Sequence, residues 1–175
     1  MYNLFYTGGS CMSDRYLEGR VAMVTGGASG MGRAMALEFA KAGANVAIGS
    51  LLSTRKETKA DGELVNMPGM EEMERTKGEL EAFGVKALAV ELDVTSTESC
   101  ENFYNETVKA FGQVDILANA AGITAEHGVV DHPEGLWMKV MDVNANGPFR
   151  MSKLVLKGMM ERKWGRIISI SSTAG

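Results

Sequence analysis

The sequence predicts an α/β fold: a doubly wound parallel sheet with helices on both faces. Short apolar runs alternate with stretches of helical period along the whole chain. The runs are near-continuous rather than alternately polar, as strands buried on both faces require. A glycine-rich turn, "TGGASGMG", also joins the first strand to the first helix.

Residues 1–15 lack apolar periodicity and read as a disordered extension, with Met12 as an alternative start; the domain spans 16–175. "VAMVT" (Val21–Thr25) is the first strand. "GMGRAMALEFAKAG" follows as a helix, with Met31, Met35 and Phe39 on one face and Gly43 ending it. "ANVAIGS" (Ala44–Ser50) is the second strand, followed by a long polar stretch to Pro68. "MEEMERTKGELEAFG" is the next helix, weakened by its interior Gly78 by roughly 1 kcal/mol relative to Ala. "VKALAVEL" is the third strand. Thr95 and Glu98 are spaced as a capping box for a helix running to Phe111, which Gly112 ends. "VDILANA" is the fourth strand, and Gly122 to Asp131 a loop. Pro133 suits the first turn of a long helix capped by Asp131 or His132. That helix should turn Trp137, Val140, Met141, Leu154 and Val155 inward. "GRIISIS" is the fifth strand.

Composition excludes several function classes. A net charge of −4 and a pI near 5.3 argue against nucleic acid, which calls for a basic face. No run has the length of a membrane helix, and the start has neither a basic nor an apolar signal region. Cys11 and Cys100 are far apart without metal-type spacing, and read as free thiols of a reducing, cytoplasmic compartment. The 13 methionines fall mostly at helix-period positions, as core filling. His127, Asp131 and His132 lie in a loop with no third ligand near, so no metal site is expected.

The glycine turn carries the first functional signal. Gly26, Gly30 and Gly32 let the backbone turn tightly and approach a phosphate with no Cβ in the way. The helix behind them offers free N–H groups and its positive dipole end. A strand before the turn and a helix after it are the context of a dinucleotide site.

The spacing Thr25-Gly26-x3-Gly30-x-Gly32 resembles the short-chain dehydrogenase/reductase family. The resemblance continues through "LDV" (Leu92–Val94) after the third strand, "NAAG" (Asn119–Gly122) after the fourth, "DVNANGPF" (Asp142–Phe149) and "GRIISISSTAG". It covers Tyr16 to Gly175. It implies a Rossmann-type sheet of order 3-2-1-4-5, truncated here after the fifth strand. It implies cofactor contacts from Thr25, Gly26, Ser29, Gly30, Met31, Gly32, Ser50, Asp93, Val94, Asn119, Ala120, Ala121 and Gly122. Ala120 departs from the family's second Asn, so the sheet-stabilising role left to Asn119 should be weaker.

Two nicotinamide cofactors come into question. NAD enzymes place an acid at the end of the second strand. That place holds Ser50, and Arg55 and Lys56 follow, which favours NADP over NAD. Ser29 stands where many NADP-preferring relatives are basic, and Glu57 and Asp61 lie near.

The resemblance implies hydride transfer between nicotinamide and a small carbonyl or alcohol substrate. Asn144 would hold a water of the proton relay, and Ser172 would bond the substrate oxygen. The family's tyrosine and lysine, Tyr-x3-Lys, would complete the site. None of Tyr2, Tyr6, Tyr16 and Tyr104 has a lysine four positions on. The 175-residue chain is therefore expected to be inactive, and poorly soluble through an exposed fifth strand. Relatives pair through the long helix, so a homo-oligomer is expected of the complete protein. The alternative function is a non-catalytic nucleotide-binding or interaction module. A different Rossmann enzyme, such as a methyltransferase, fits the motifs less well.

Overall fold

The structure is a computed structural model that describes residues 15–53, 61–64 and 67–171. The expected extension at 1–15 falls almost wholly outside these residues, as do Cys11, Arg55, Lys56, Glu57 and Ser172.

Seven strands and five α-helices are present among the described residues. In chain order they are β1 (Val21–Thr25), α1 (Gly30–Lys41), β2 (Asn45–Ser50), β3 (Glu63–Leu64), α2 (Met70–Glu81), β4 (Ala87–Glu91), α3 (Thr97–Phe111), β5 (Ile116–Asn119), β6 (Thr124–Ala125), α4 (Glu134–Met141), α5 (Gly147–Glu161) and β7 (Arg166–Ser169). A 3-10 turn, Val129–Asp131, precedes α4, and a π-helical turn, Asp142–Asn146, joins α4 to α5. The main sheet runs β4-β2-β1-β5-β7, all parallel. Counting only its own strands, that is the expected order 3-2-1-4-5.

The apolar runs form strands because both their faces are covered. Ala22, Val24, Val46, Ile48 and Ala118 pack with Ala36 and Ala40 of α1 on one side. Met23, Ala47 and Leu117 pack with Phe103 of α3 and Met151 and Val155 of α5 on the other. β1 is buried along its whole length, which is why it carries no polar residue but its terminal Thr25. Gly43 and Gly112 take positive φ (96° and 85°) after α1 and α3, so both helices end where a left-handed residue was expected.

Four local expectations are corrected. The cap of α3 is Ser96, whose Oγ accepts from Ser99 N at 3.2 Å. Thr95 is drawn away instead, its N–H and hydroxyl both donating to Asp93 Oδ1 (2.9 and 2.6 Å). The residue before α4 is Pro133, with no side-chain cap from Asp131 or His132. Of the expected α1 face, Met35 and Phe39 pack on the core, but Met31 in the first turn is 63% exposed.

The fourth correction concerns the long helix. Val140, Leu154 and Val155 face the core as expected, whereas Trp137 and Met141 are 54% and 42% exposed. Trp137 and Val155 stand about five full turns apart at 3.6 residues per turn, so an unbroken α-helix would align them. The π turn lies between them and shifts the phase. Leu136 takes the buried place in α4.

The stretch after β2 was read only as long and polar, and the segment after β5 as a loop. Both contribute a short strand, and β3 and β6 pair antiparallel, Glu63 opposite Ala125 and Leu64 opposite Thr124. β7 closes one side of the main sheet and is exposed; Ile167, Ile168 and Ile170 are 38–41% accessible. No helix among the described residues is long and apolar enough to cross a membrane.

Candidate functional site

The strand ends at the carboxyl edge of the sheet open onto a cavity of about 800 Å³. Ligands of open parallel sheets bind outside this edge, where the strand order reverses. The reversal falls at β1, between β2 and β5. A volume of several hundred Å³ is that of a small-molecule or cofactor site.

The glycine turn forms one wall. The backbone at Gly26 has φ of 66°, and a Cβ there would lie 2.9 Å from Ala121 Cα. A Cβ on Gly32 would collide with the Gly26 carbonyl oxygen. Gly30 differs: its φ is 52°, and a Cβ would meet nothing within 4 Å. Gly26 and Gly32 therefore serve packing within the turn, while Gly30 leaves the approach to the helix open. Gly27, not singled out in the sequence, belongs with the packing pair, since a Cβ there would lie 2.7 Å from Ile48 Cγ2.

The turn is held by its neighbours. Ala28 N donates to Ser50 Oγ (3.1 Å), and Thr76 Oγ1 donates to the Ala28 carbonyl (3.2 Å). Thr25 Oγ1 accepts from both Ala120 N and Ala121 N (3.1 Å each). One hydroxyl thus fixes the end of β1 against the loop leaving β5. The first turn of α1 carries no acid, and Ser29 makes no side-chain cap bond to it. No acid in that turn opposes the amide ends, which border the cavity.

A second wall comes from the ends of β2 and β4, with Ser50, Leu51, Leu92, Asp93, Val94 and Thr95. The Ser50 side chain is 96% buried and occupied by Ala28. The third wall comes from the β5 loop and the α4 region: Ala120 to Ile123, Met138, Lys139, Asp142 and Asn146.

Of the predicted cofactor contacts, Gly26, Ser29, Gly30, Met31, Gly32, Ser50, Asp93, Val94, Ala120, Ala121 and Gly122 line this cavity together. Thr25 and Asn119 stand behind the wall and are almost fully buried. Asn119 Nδ2 donates to Ser169 Oγ on β7 (3.3 Å), and its Oδ1 is buried with no protein partner. A buried acceptor left open at the strand end fits a site that expects a polar ligand or water.

Asn144 sits in the π turn, and its carboxamide is turned to the backbone of Ile123. Oδ1 accepts from Ile123 N (3.0 Å) and Nδ2 donates to Ile123 O (2.8 Å). Gly147 lets the start of α5 approach Val94; a Cβ there would be 3.0 Å from Val94 Cβ. Arg150 ties the same region, donating to the Val94 carbonyl (3.1 Å) and pairing with Asp142 (2.8 Å). The Asn146 amide bond and then Arg150 hold the Asp142 carboxyl below its ordinary value.

Cys100, a free thiol under the β4 loop, is fully buried, and burial pushes its pKa up to about 11. It is inert rather than catalytic. His127 and His132 lie with ring centroids 5.4 Å apart; no metal-binding cluster forms among the described residues.

Sequence reasoning missed Ile123, Glu63, Lys139 and Asp142. Asp142 opens the stretch "DVNANGPF" but was given no role, and the other three lie in no motif. Only the tertiary pairing of β3 with β6 and of α4 with both brings them to the cavity.

The chain is similar to known proteins over most of its length. The family model for short chain dehydrogenases matches residues 59–175. A short chain dehydrogenase of Pseudocercospora fijiensis is 37% identical over 158 residues, covering 89% of this chain and 46% of that protein. The 3-oxoacyl-(acyl-carrier-protein) reductase FabG of Pseudomonas aeruginosa is 38% identical over 159 residues, covering 91% and 58%. Coverage that wide takes in the glycine turn, which precedes the family-model match. The structure of an NAD+-bound xylitol dehydrogenase superposes with a TM-score of 0.74 at 29% identity, over 91% of this chain and 55% of that one. The chain spans about half the length of the curated relatives it matches. With a glycine turn, a β5 loop and a helix carrying Asn144 around one cavity, and two thirds of its residues matched by the family model, the chain belongs to the short-chain dehydrogenase family.

Proposed function

We propose that this chain supplies the dinucleotide side of an NAD(P)-dependent oxidoreductase that moves hydride between nicotinamide and a small carbonyl or alcohol substrate. The observation that carries the reading is the acid-free amino end of α1, opened by Gly30 onto a cavity of about 800 Å³. When bound, the nicotinamide accepts or gives the hydride. The protein's part is to bind and orient. The α1 amides and the Gly30 approach suit the pyrophosphate. Asp93 and Val94 suit the adenine. The loop from Ala120 to Ile123 leads to the other half of the dinucleotide.

NADP is favoured, because the carboxylate that would repel a 2′-phosphate is absent from the end of β2. FabG and xylitol dehydrogenase are named for reactions at a 3-oxoacyl group and a sugar alcohol. For this chain we propose the wider class that holds both, carbonyl and alcohol carbons. Ser172 would bond the reacting oxygen and steady the charge on it; it lies outside the described residues. Asn144 would order a water of the proton relay. A reducing, cytoplasmic setting and a homo-oligomer formed through α4 and α5 complete the proposal.

The sequence holds no Tyr-x3-Lys. A tyrosine general acid is normally far too weak without a neighbouring cation. The 175-residue chain is therefore proposed to bind nucleotide without reducing a carbonyl. Titration with NADPH and NADH, followed by the reduced nicotinamide's fluorescence, tests the first half. Absence of binding by either at millimolar concentration defeats it. Robust turnover of a carbonyl by this chain would defeat the second half. The other reading, a nucleotide-binding or interaction module, is favoured if the gene's reading frame stops at the Gly175 codon. A frame continuing to Tyr-x3-Lys favours the oxidoreductase.

A further inference from the structure

An ion pair between a buried carboxylate and a partly exposed ammonium borders the cavity on the side of the β5 loop. The Glu63 carboxylate on β3 is 1% exposed, and Lys139 Nζ on α4 lies 2.9 and 3.2 Å from its two oxygens. Both residues line the cavity. Neither belongs to any motif of the chain.

Its position decides what it can do. Ser50, at the end of β2, and Asp93, after β4, lie on one side of β1; the β5 loop lies on the other. In such a sheet the ribose next to the adenine sits at the end of the second strand. The nicotinamide half must then extend along the β5 loop. β3 pairs with β6 directly beyond that loop. Further backbone bonding holds the ribbon, Glu126 N donating to Gly62 O at 3.0 Å.

The contacts form a closed frame. Ile123, one residue before β6, is gripped by Asn144 of the π turn at both its N–H and its carbonyl. β6 is bonded to β3, and β3 is tied to α4 by Glu63 and Lys139. α4 runs directly into the π turn. The ion pair is a direct link between β3 and the helix. An apolar pair of similar volume would cover the same surface without the cost of burying charge. What a charged, directional pair adds is a fixed register between β3 and α4.

We infer that Glu63 and Lys139 are positioning residues that align the Ile123 wall for the nicotinamide half of the dinucleotide. The inference rests on the dinucleotide reading proposed above. It assigns the pair no contact with the reacting atoms.

The test compares two probes on the 175-residue chain: the tighter-binding of NADH and NADPH, and the matching ADP-ribose, which lacks only the nicotinamide. Lys139→Met should weaken the dinucleotide about tenfold, a coupling of ordinary size for residues in contact, and leave ADP-ribose binding unchanged. The double variant Glu63→Leu/Lys139→Met removes both charges, so it should melt near the wild-type temperature and still show the selective loss. The swap Glu63→Lys/Lys139→Glu should recover dinucleotide affinity. A pair that served folding alone would lower melting temperature and leave the ratio of the two affinities untouched. An equal loss for both probes, no loss for either, or full affinity in the double variant would overturn the inference. If the wild-type chain binds neither probe, the dinucleotide reading itself fails, and this inference falls with it.

Discussion

Asn144 holds both backbone polar groups of Ile123: its Oδ1 accepts from the N–H at 3.0 Å and its Nδ2 donates to the carbonyl at 2.8 Å. Only a carboxamide can do both. Asn144→Asp keeps the first bond and sets a carboxylate against the carbonyl, while Asn144→Ala leaves both groups without a partner. Losing such bonds costs about 1–3 kcal/mol. Both variants should melt lower than wild type in a thermal scan, with Asp no better than Ala. An Asp variant as stable as wild type would refute the paired bonds.

The glycines of the turn should separate into two classes. Gly26→Ala and Gly32→Ala place a Cβ against the backbone of Ala121 and of Gly26. Both should lose nucleotide binding and much of their stability. Gly30→Ala meets open space, so only its left-handed backbone counts against it, about 1–2 kcal/mol. Melting temperatures and nucleotide fluorescence of the three variants check the ranking.

Cofactor choice is predicted to turn on residue 50. Ser50→Asp puts a carboxylate where a 2′-phosphate would lie. It should raise the NADH-to-NADPH affinity ratio by about tenfold or more, since like charges within a few Å disfavour each other by over 1 kcal/mol. A ratio unchanged in paired fluorescence titrations would contradict the NADP preference.

Cys100 sets a pH dependence. Burial raises its pKa from 9.0 to about 11, with Arg150 opposing. A folded thiol that holds its proton longer than the unfolded one favours the fold only while both stay protonated. That contribution is intact below about pH 9 and is lost as pH climbs through 11. Denaturant midpoints should fall across that window, and less so in Cys100→Ala. Alkylation of the Cys100 peptide at pH 8, followed by mass spectrometry, should be slow in the folded chain and fast in urea.

The exposed face of β7 should govern solubility. Ile167 on the edge strand β7 and Ile170 directly after it are 39% and 41% accessible. The 175-residue chain should scatter light at micromolar concentration, and Ile167→Lys with Ile170→Lys should reduce it. A monodisperse wild-type sample would refute this.

The sheet was legible in the sequence because its central strands β1, β2 and β5 are buried on both faces and its outer strands are apolar runs of the same kind. The glycine turn was legible because its geometry tolerates few residues besides glycine. β3 and β6 were not, since two-residue strands carry no period and Glu63 is a buried acid paired with the distant Lys139. Ser96 was passed over for Thr95 because nothing local shows that Asp93 will claim the threonine hydroxyl. Glu63 and Lys139 have no sequence signal at all; their role follows from where three separate segments meet.

The π turn is in effect a one-residue insertion in a helix. Rotation accumulates along a helix with each residue, so a wide turn that takes up one residue without added rotation changes which residues before it share a face with those after it. Here it sends Trp137 outward and lets Leu136 inward, with Val155 unmoved. Deleting Ala145 would shorten α4 and α5 very little. It would replace the wide turn by an ordinary one, and because the wide turn takes up its extra residue without added rotation, α4 would keep its facing and Lys139 its place on Glu63.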